Sequence, residues 1–203
     1  KTYKKAKSYV NNALKLNPQL PEAHYGMASV SYWYEWDLKR AIQHLNKAIE
    51  VNPNFAPAYM HFAFHYCSLK KFEKALEYIE IAIGLDPLSS EVYFAKGYIH
   101  YFMQDYDTSL KNLKTCLDLN PINLLAIIIK ACCWLKQKKE HLVIDYFTSD
   151  VPATIDNATK YGCLGIAYSM LNDSENRARY LDLLNTEIEN SKGERAEFFM
   201  FLI

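Results

Sequence analysis

The sequence predicts an all-α protein built from helical hairpins that stack side by side. Three observations predict this class: a phrase that recurs at a fixed period, apolar residues at helical spacing, and the lack of strand-like alternation of useful length. The phrase reads "ALKLNP", "AIEVNP", "AIGLDP" and "CLDLNP", and it closes at Pro18, Pro53, Pro87 and Pro121. These prolines lie 35, 34 and 34 residues apart, and such a period is typical of helical repeat proteins.

Each repeated unit is predicted to contain two amphipathic helices. Within 63–87, apolar residues recur at i, i+3, i+4 and i+7, the spacing of one buried helix face. The first helix is expected to end near "SLKKF" and the second to run into "AIGLDP". The Asn or Asp before each closing proline should end the second helix, because a residue that precedes proline is pushed out of the α region.

Small residues recur where two helices of a hairpin must approach closely. Ten residues after the closing prolines, the sequence has Ala28, Ala63, Gly97 and Ala131. Later in the units the small residues are Ala41, Ala75 and Ser109, and then Ala82 and Cys116. We therefore expect the helix backbones to be in contact at these positions.

The period, the small residues and the closing proline together resemble the tetratricopeptide repeat family. The resemblance is most specific over 21–121 and extends over the whole chain, although Arg177 stands where a small residue is usual. It implies an α-α superhelix, or solenoid, of stacked antiparallel helix hairpins with about five to six units. The units expected in this single array over 1–203 are a half repeat, three well-matched repeats, a degenerate repeat, a further repeat and the start of another helix, at 1–20; 21–55, 56–89 and 90–123; 124–154; 155–190; and 191–203.

Composition and charge exclude several classes of function. Lys plus Arg and Asp plus Glu are equal at 23 each, so we expect no basic face for nucleic acid. The longest apolar run, 124–135, is shorter than the ~20 residues of a membrane span and contains Lys130, so no membrane partner is expected. The cysteines are odd in number and lack C-x-x-C spacing, which favours a reducing, cytoplasmic location. Because the chain opens with Lys, we expect it to be a piece of a longer protein.

The search for catalytic and metal-binding motifs finds no strong candidate. Nucleotide-binding glycine motifs and the nucleophile motif G-x-S-x-G do not occur. His61 and His65 are four residues apart, with Cys67 nearby, and could share a metal ion, but a zinc site needs further ligands. We therefore predict that the protein is not an enzyme and has no catalytic, cofactor or metal site. An enzyme or metal protein remains the third hypothesis.

The family resemblance places the candidate site in the concave groove, which the first helices line. In that family the groove positions fall 7, 11, 14 and 15 residues after the closing proline. Here they carry an apolar and aromatic set: Tyr25, Ser29, Tyr32 and Trp33; Met60, Phe64, Cys67 and Ser68; Phe94, Tyr98, Tyr101 and Phe102; Ile128, Cys132, Leu135 and Lys136. Because Lys136 is the only basic residue among them, we expect an apolar or aromatic peptide, extended or helical, and not an acidic chaperone tail.

Three interpretations of this lining stay open: a partner groove, internal packing of the superhelix, and self-association as a homodimer. The leading hypothesis is a non-enzymatic protein-interaction module. An extra residue near Trp36 and Asp37 resembles the repeat arrays of bacterial regulatory proteins, in which a nucleotide cyclase or a winged-helix domain is tethered to a repeat sensor. That resemblance implies the sensory or scaffold part of a larger signalling protein. The alternative is an assembly element of such a regulator, with 195–203 as the adhesive end.

Overall fold

The computed structural model describes residues 2–190, and within that range the chain forms helices and turns only. The all-α architecture predicted from the sequence is confirmed. The eleven α-helices of this range are α1 (Thr2–Leu16), α2 (Pro21–Trp33), α3 (Leu38–Val51), α4 (Ala56–Ser68), α5 (Phe72–Leu85), α6 (Ser90–Phe102), α7 (Tyr106–Leu119), α8 (Leu124–Lys136), α9 (Glu140–Asp145), α10 (Asn157–Met170) and α11 (Ser174–Asn190).

The chain divides into two compact units, 1–99 and 100–203. In the first unit α2 packs on α3 and α4 packs on α5, so that each first helix is paired with the second helix that follows it. The small residues lie at the centre of this packing, because Ala28, Ala63, Ala75 and Ala82 are fully buried. A larger side chain at these positions would separate the backbones, as the repeat spacing predicts.

The second unit has a core of its own, centred on Ile127, Phe147 and Leu164. Its degenerate hairpin departs from the regular pattern, since α9 has only six residues and continues as a π-helical turn over Tyr146–Asp150. No Asn-Pro closes this helix. Phe147 in the π-helical turn is fully buried, so the turn still contributes a large side chain to the core.

A residue in the left-handed region marks the tight turn of every hairpin. These residues are Trp36, Lys70, Gln104, Lys138 and Asn172, each with φ between 54° and 63°, and they are spaced 34 residues apart throughout. The turn at 34–37 is one residue longer than the turn at 69–71, which locates the extra residue expected near Trp36. The repeat period therefore continues through the degenerate hairpin, where the closing proline is missing.

The residue after each left-handed residue directly precedes the second helix, in the N-cap position. Asp37 accepts a hydrogen bond from the Arg40 amide at 2.9 Å, and Asp105 and Asp173 do the same for amides three residues ahead at 3.2 and 3.1 Å. Such caps satisfy amides that have no partner inside the helix. Lys71 and Lys139 occupy the same position in the other two hairpins without a side-chain cap.

Candidate functional site

The predicted groove residues of the first unit lie on α2, α4 and α6, the first helices of their hairpins. One face of each helix carries the small residues that touch the second helix. The groove residues are offset from that face, so their side chains are not consumed in closing the hairpin. This leaves the aromatic rings of neighbouring first helices free to meet one another.

The first group of rings is centred on His61 of α4. The rings of Tyr32 and Tyr25 stand nearly perpendicular to the His61 ring, with centroids 5.1 and 5.9 Å away, and the Trp33 ring lies at 6.4 Å. We call these four residues the histidine cluster. Perpendicular contacts of this kind are favourable because the edge of one ring meets the face of the next.

Hydrogen bonds fix the position of Tyr32 within the histidine cluster. Its hydroxyl donates to Ser68 Oγ at 3.2 Å, and Ser68 Oγ donates to the carbonyl of His65 at 2.7 Å. Tyr32 is buried, whereas the neighbouring Trp33 side chain is 53% exposed. The histidine cluster therefore combines a buried tyrosine, held in place by hydrogen bonds, with a tryptophan that remains open to solvent.

His61 is a neutral, apolar-like member of the histidine cluster at neutral pH. It is buried, and no other residue within 2–190 offers a hydrogen-bond partner to either ring nitrogen. Its pKa is lowered to about 4, chiefly by burial; a contact with its own backbone partly opposes the shift, and the nearby His65 adds to it. Within the same range, no group of three or more His, Cys, Asp or Glu side chains is placed to hold a metal ion.

The second group of rings joins α4 to α6 and consists of Phe64, Phe94 and Tyr98. Phe64 meets Tyr98 edge-on at 5.4 Å and Phe94 at 6.2 Å, while Phe94 and Tyr98 are 6.0 Å apart. We call these residues the phenylalanine cluster. Burial raises the pKa of Tyr98, and its smaller electrostatic contributions come from Cys67 and Tyr32. Tyr98 of the phenylalanine cluster therefore lies near Tyr32 of the histidine cluster.

In the second unit the predicted groove residues are arranged differently. Tyr101 is hydrogen-bonded to Cys132 and packs on Tyr106, and its pKa is raised to about 12, chiefly by burial. Phe102 stands edge-on to Tyr101 and is 49% exposed. Ile128 is buried and lines a cavity. Besides these two rings, the groove positions of the second unit hold a thiol, aliphatic side chains and Lys136, whereas those of the first unit hold mainly rings that contact one another.

Eleven of the sixteen groove positions predicted from the sequence make up the candidate binding surface, and they fall into three classes of exposure. Trp33 and Phe102 are exposed, and Tyr32 and Ile128 are buried. The others are half-buried: Tyr25, Ser29, Met60, Phe64, Phe94, Tyr98 and Tyr101. Contacts between rings bring together Tyr25, Tyr32 and Trp33 through His61, and they join Phe64, Phe94 and Tyr98. Their assignment to a partner groove stays a prediction.

A further exposed aromatic surface lies at the first hairpin turn, where the extra residue is inserted. Tyr34 and Trp36 are 58% and 78% exposed, and Tyr34 stacks on Tyr3 of α1 at 5.1 Å. Between them Glu35 forms ion pairs with Lys7 and with Arg40, the second at 3.5 Å. The sequence predicts the extra residue near Trp36, but these side chains are not among the predicted surface residues. The signal was the density of aromatic residues in "YWYEW".

Two segments of this chain match the model of a known protein family. The segments 22–55 and 90–123 match the family model described as Tetratricopeptide repeat. They coincide with two of the three units predicted to be well matched. Both segments therefore resemble tetratricopeptide repeats. The chain has no match among curated proteins.

Solved structures of repeat proteins share the fold of this chain. PilW, a type IV pilus biogenesis factor, aligns with a TM-score of 0.76 at 16% identity over 97% of this chain and 90% of its own. The pilF protein of Pseudomonas aeruginosa aligns with a TM-score of 0.67 at 19% identity over 98% of this chain and 89% of its own. YrrB, a tetratricopeptide repeat protein with an unusual peptide-binding site, aligns at 0.56 and 18% over 85% and 89%. At these identities the likeness establishes the fold, and the predicted α-α superhelix class is confirmed.

Proposed function

We propose, for a chain with two segments that resemble tetratricopeptide repeats, the function of a non-enzymatic protein-interaction module. The observation that supports this most strongly is the presence of two ring clusters, the histidine cluster and the phenylalanine cluster, on three successive first helices, with Trp33 about half exposed. Tryptophan and tyrosine dominate the energetics of protein interfaces because they bury a large apolar area at low conformational cost.

The chemistry of this surface favours an apolar or aromatic ligand. No groove position of the first unit carries a charged side chain, so an acidic tail would lose its water without gaining an ion pair. The rings are held by one another and by the Tyr32–Ser68 hydrogen bond, so that little freedom is lost on binding. A short peptide, helical or extended, could place its apolar side chains against Trp33 and Phe94. YrrB, a protein of this fold, has a peptide-binding site, which is the same class of ligand.

We also propose a role for this module within a larger protein. The extra residue near Trp36 and Asp37 supports a sensory or scaffold role within a larger bacterial signalling protein in the cytoplasm. In that setting the chain would be a single solenoid over 1–203 with the unit boundaries given above, and it would present its groove while a neighbouring domain carries the output activity.

The experiment that tests the binding function uses displayed peptides and matched variants. A library of 16-residue peptides on phage is selected against the wild-type chain, and the enriched peptides are measured by fluorescence polarisation against Trp33→Ala and Leu88→Ala. Leu88 is 78% exposed in a turn outside both clusters and serves as the control. We expect Trp33→Ala to weaken binding at least tenfold, since truncated hot-spot residues commonly cost ~2 kcal/mol or more. Peptides that bind both variants equally would contradict the assignment.

Self-association of a multidomain regulator is the second candidate, and the exposed surface at the first hairpin turn favours it. Trp36, Tyr34 and Leu38 all lie exposed on that turn. Sedimentation velocity over a hundredfold range of concentration, for the wild type and for Trp36→Ser, tests this function. A dimer that disappears in Trp36→Ser would support it, and a monomer at every concentration would exclude it for this chain.

A further inference from the structure

The last described hairpin differs from the others at the contact between its two helices. Counting from the left-handed residues Lys70 and Asn172, α5 and α11 can be placed in register. At matched positions α5 has Ala75, Ile79 and Ala82, all fully buried, and α11 has Arg177, Leu181 and Leu184. None of the α11 residues is buried, so this helix keeps an apolar face that its counterpart has covered.

The signal that ends the second helix is also missing from this hairpin. In α5 the helix stops at Leu85, directly before Asp86 and Pro87. At the matched positions α11 has Ile188 and Glu189, and the helix continues to Asn190. Asp86 and Pro87 therefore have no counterpart in α11.

A cavity of about 270 Å³ lies at this face, between α10 and α11, and Ile128 of α8 forms part of its wall. Its lining is mainly aliphatic, from Ile128, Ile166, Leu181 and Leu184. Gly165 also lines the cavity, and a Cβ there would lie 3.7 Å from Leu181 Cδ2, so α10 and α11 lie close together at this point. A hydrocarbon group would gain contact with these side chains and lose contact with water.

Three polar side chains and one thiol complete the lining, and only one of these four groups carries a charge. The Thr159 hydroxyl is bonded to Asp156 at 3.1 Å, and the Ser169 side chain is exposed at the edge. Burial raises the pKa of Cys163 to about 12, so its thiol stays neutral. Arg177 lines the cavity, and its guanidinium forms no ion pair within the described part of the chain. Within 2–190, a permanent positive charge on an exposed side chain thus borders an apolar cavity without an ion-pair partner.

We propose that this cavity binds a small amphiphilic carboxylate, with its hydrocarbon group between α10 and α11 and its carboxylate on Arg177. The size is suitable, since a cavity of ~150 Å³ holds benzene and this one is larger. A guanidinium meets a carboxylate with two parallel hydrogen bonds, which fixes the orientation of the ligand. A free acid fits better than a polypeptide end, because the lining offers almost no partner for peptide amides.

Octanoate, 1-octanol and octylammonium form a set of probes with one tail and three head groups. Each is titrated into the full chain labelled with ¹³C at Ile and Leu methyl groups. We expect octanoate to shift the methyl signals of Ile166, Leu181 and Leu184 in a saturable manner, and to bind at least tenfold more tightly than octylammonium. Arg177→Gln should weaken octanoate roughly tenfold and leave octanol unchanged, because a charge-assisted hydrogen bond is lost. Arg177→Lys should retain the preference for octanoate.

A second variant and a peptide probe keep the proposal open to refutation. Leu181 is 44% exposed, so Leu181→Glu should fold normally, as thermal unfolding will show, and should abolish octanoate binding by charge repulsion. Equal binding of all three probes, or octanoate binding that ignores Arg177→Gln, would overturn the role of the guanidinium. Absence of any methyl shift would overturn the site itself. Tighter binding of an acetylated tripeptide ending in leucine than of octanoate would overturn the free acid in favour of a polypeptide end.

Discussion

The two units use the same repeat for different surfaces. In the first unit the groove positions hold rings that contact rings. The contact between the two helices of a hairpin, which we call the seam, is formed there by alanine. In the second unit the groove position Ile128 is aliphatic, and the last hairpin has Arg177 where the first unit has Ala75. The first arrangement gives a filled, aromatic surface, and the second leaves a cavity. Side-chain size at a few repeat positions decides which of the two forms.

Exchange of the seam residues should have the largest effect on stability. Ala75→Arg would bury an unpaired charge in the centre of the first unit and should destabilise it by about 3 kcal/mol or more. The reverse change, Arg177→Ala, removes an exposed side chain and should alter the free energy of unfolding by less than about 0.5 kcal/mol. Urea unfolding followed by circular dichroism measures both. Similar losses for the two variants would show that the two seams are not different in kind.

Lowering the pH from 6.5 towards 4 should reduce the free energy of unfolding through His61 of the histidine cluster. The pKa of His61 is lowered from 6.5 to about 4 by burial, so the unfolded chain binds a proton that the folded chain refuses between these pH values. The contribution of His61 is therefore present above pH 6.5 and is lost as the pH falls towards 4, by roughly 2–3 kcal/mol. In His61→Phe this part of the pH dependence should disappear. Identical slopes for wild type and variant between pH 7 and 4.5 would contradict a buried neutral imidazole.

Truncation of an aromatic ring should lower the stability more in the first unit than in the second, although the difference is smaller than for Ala75 and Arg177. Phe64→Ala removes the residue that contacts both Phe94 and Tyr98, and we expect a loss of about 2 kcal/mol because the side chain is only half-buried. Phe102→Ala in the second unit removes a ring that is 49% exposed and should cost less than about 1 kcal/mol. Thermal unfolding of the two variants gives the comparison. A larger loss for Phe102→Ala would place the tighter ring packing in the second unit.

The hairpin turns should show the smallest effect. Lys70 is held in the left-handed region, which costs a non-glycine residue about 1 kcal/mol or more, so Lys70→Gly should stabilise the chain by about 0.5 kcal/mol after the entropy of glycine is subtracted. Asn172→Gly should change stability less, because asparagine tolerates this region. Chemical unfolding with replicate titrations resolves the difference. Destabilisation by Lys70→Gly would show that its side chain has a role beyond the turn.

The sequence predicts most of the fold because the fold depends on features with a period. The closing prolines and small residues such as Ala63 recur in every regular unit, and the structure buries the small residues as expected. The left-handed turn residues recur equally well but could not be found, since Trp36, Lys70 and Gln104 share no chemical property. Their conformation is imposed by the two helices that they join.

The candidate site is less predictable because it depends on contacts between residues that are far apart in the sequence. Spacing identified Tyr32 and Trp33, but the ring that joins them is His61, which lies one position beyond a groove residue. Exposure could not be inferred either, since Tyr32 and Trp33 are adjacent in the chain and differ between buried and exposed. The cavity required Gly165 and Arg177 to be seen together in space.

The most direct test of a partner surface on the first unit is to measure binding and stability on the same variant. Phe94 and Tyr98 pack on Phe64, so their removal would affect both quantities, whereas Trp33 is about half exposed and separates them. For Trp33→Ala we predict at least a tenfold loss of affinity for the selected peptides, together with a free energy of unfolding within about 1 kcal/mol of the wild type. Unchanged affinity with a large loss of stability would contradict the account and would make the aromatic surface a matter of internal packing.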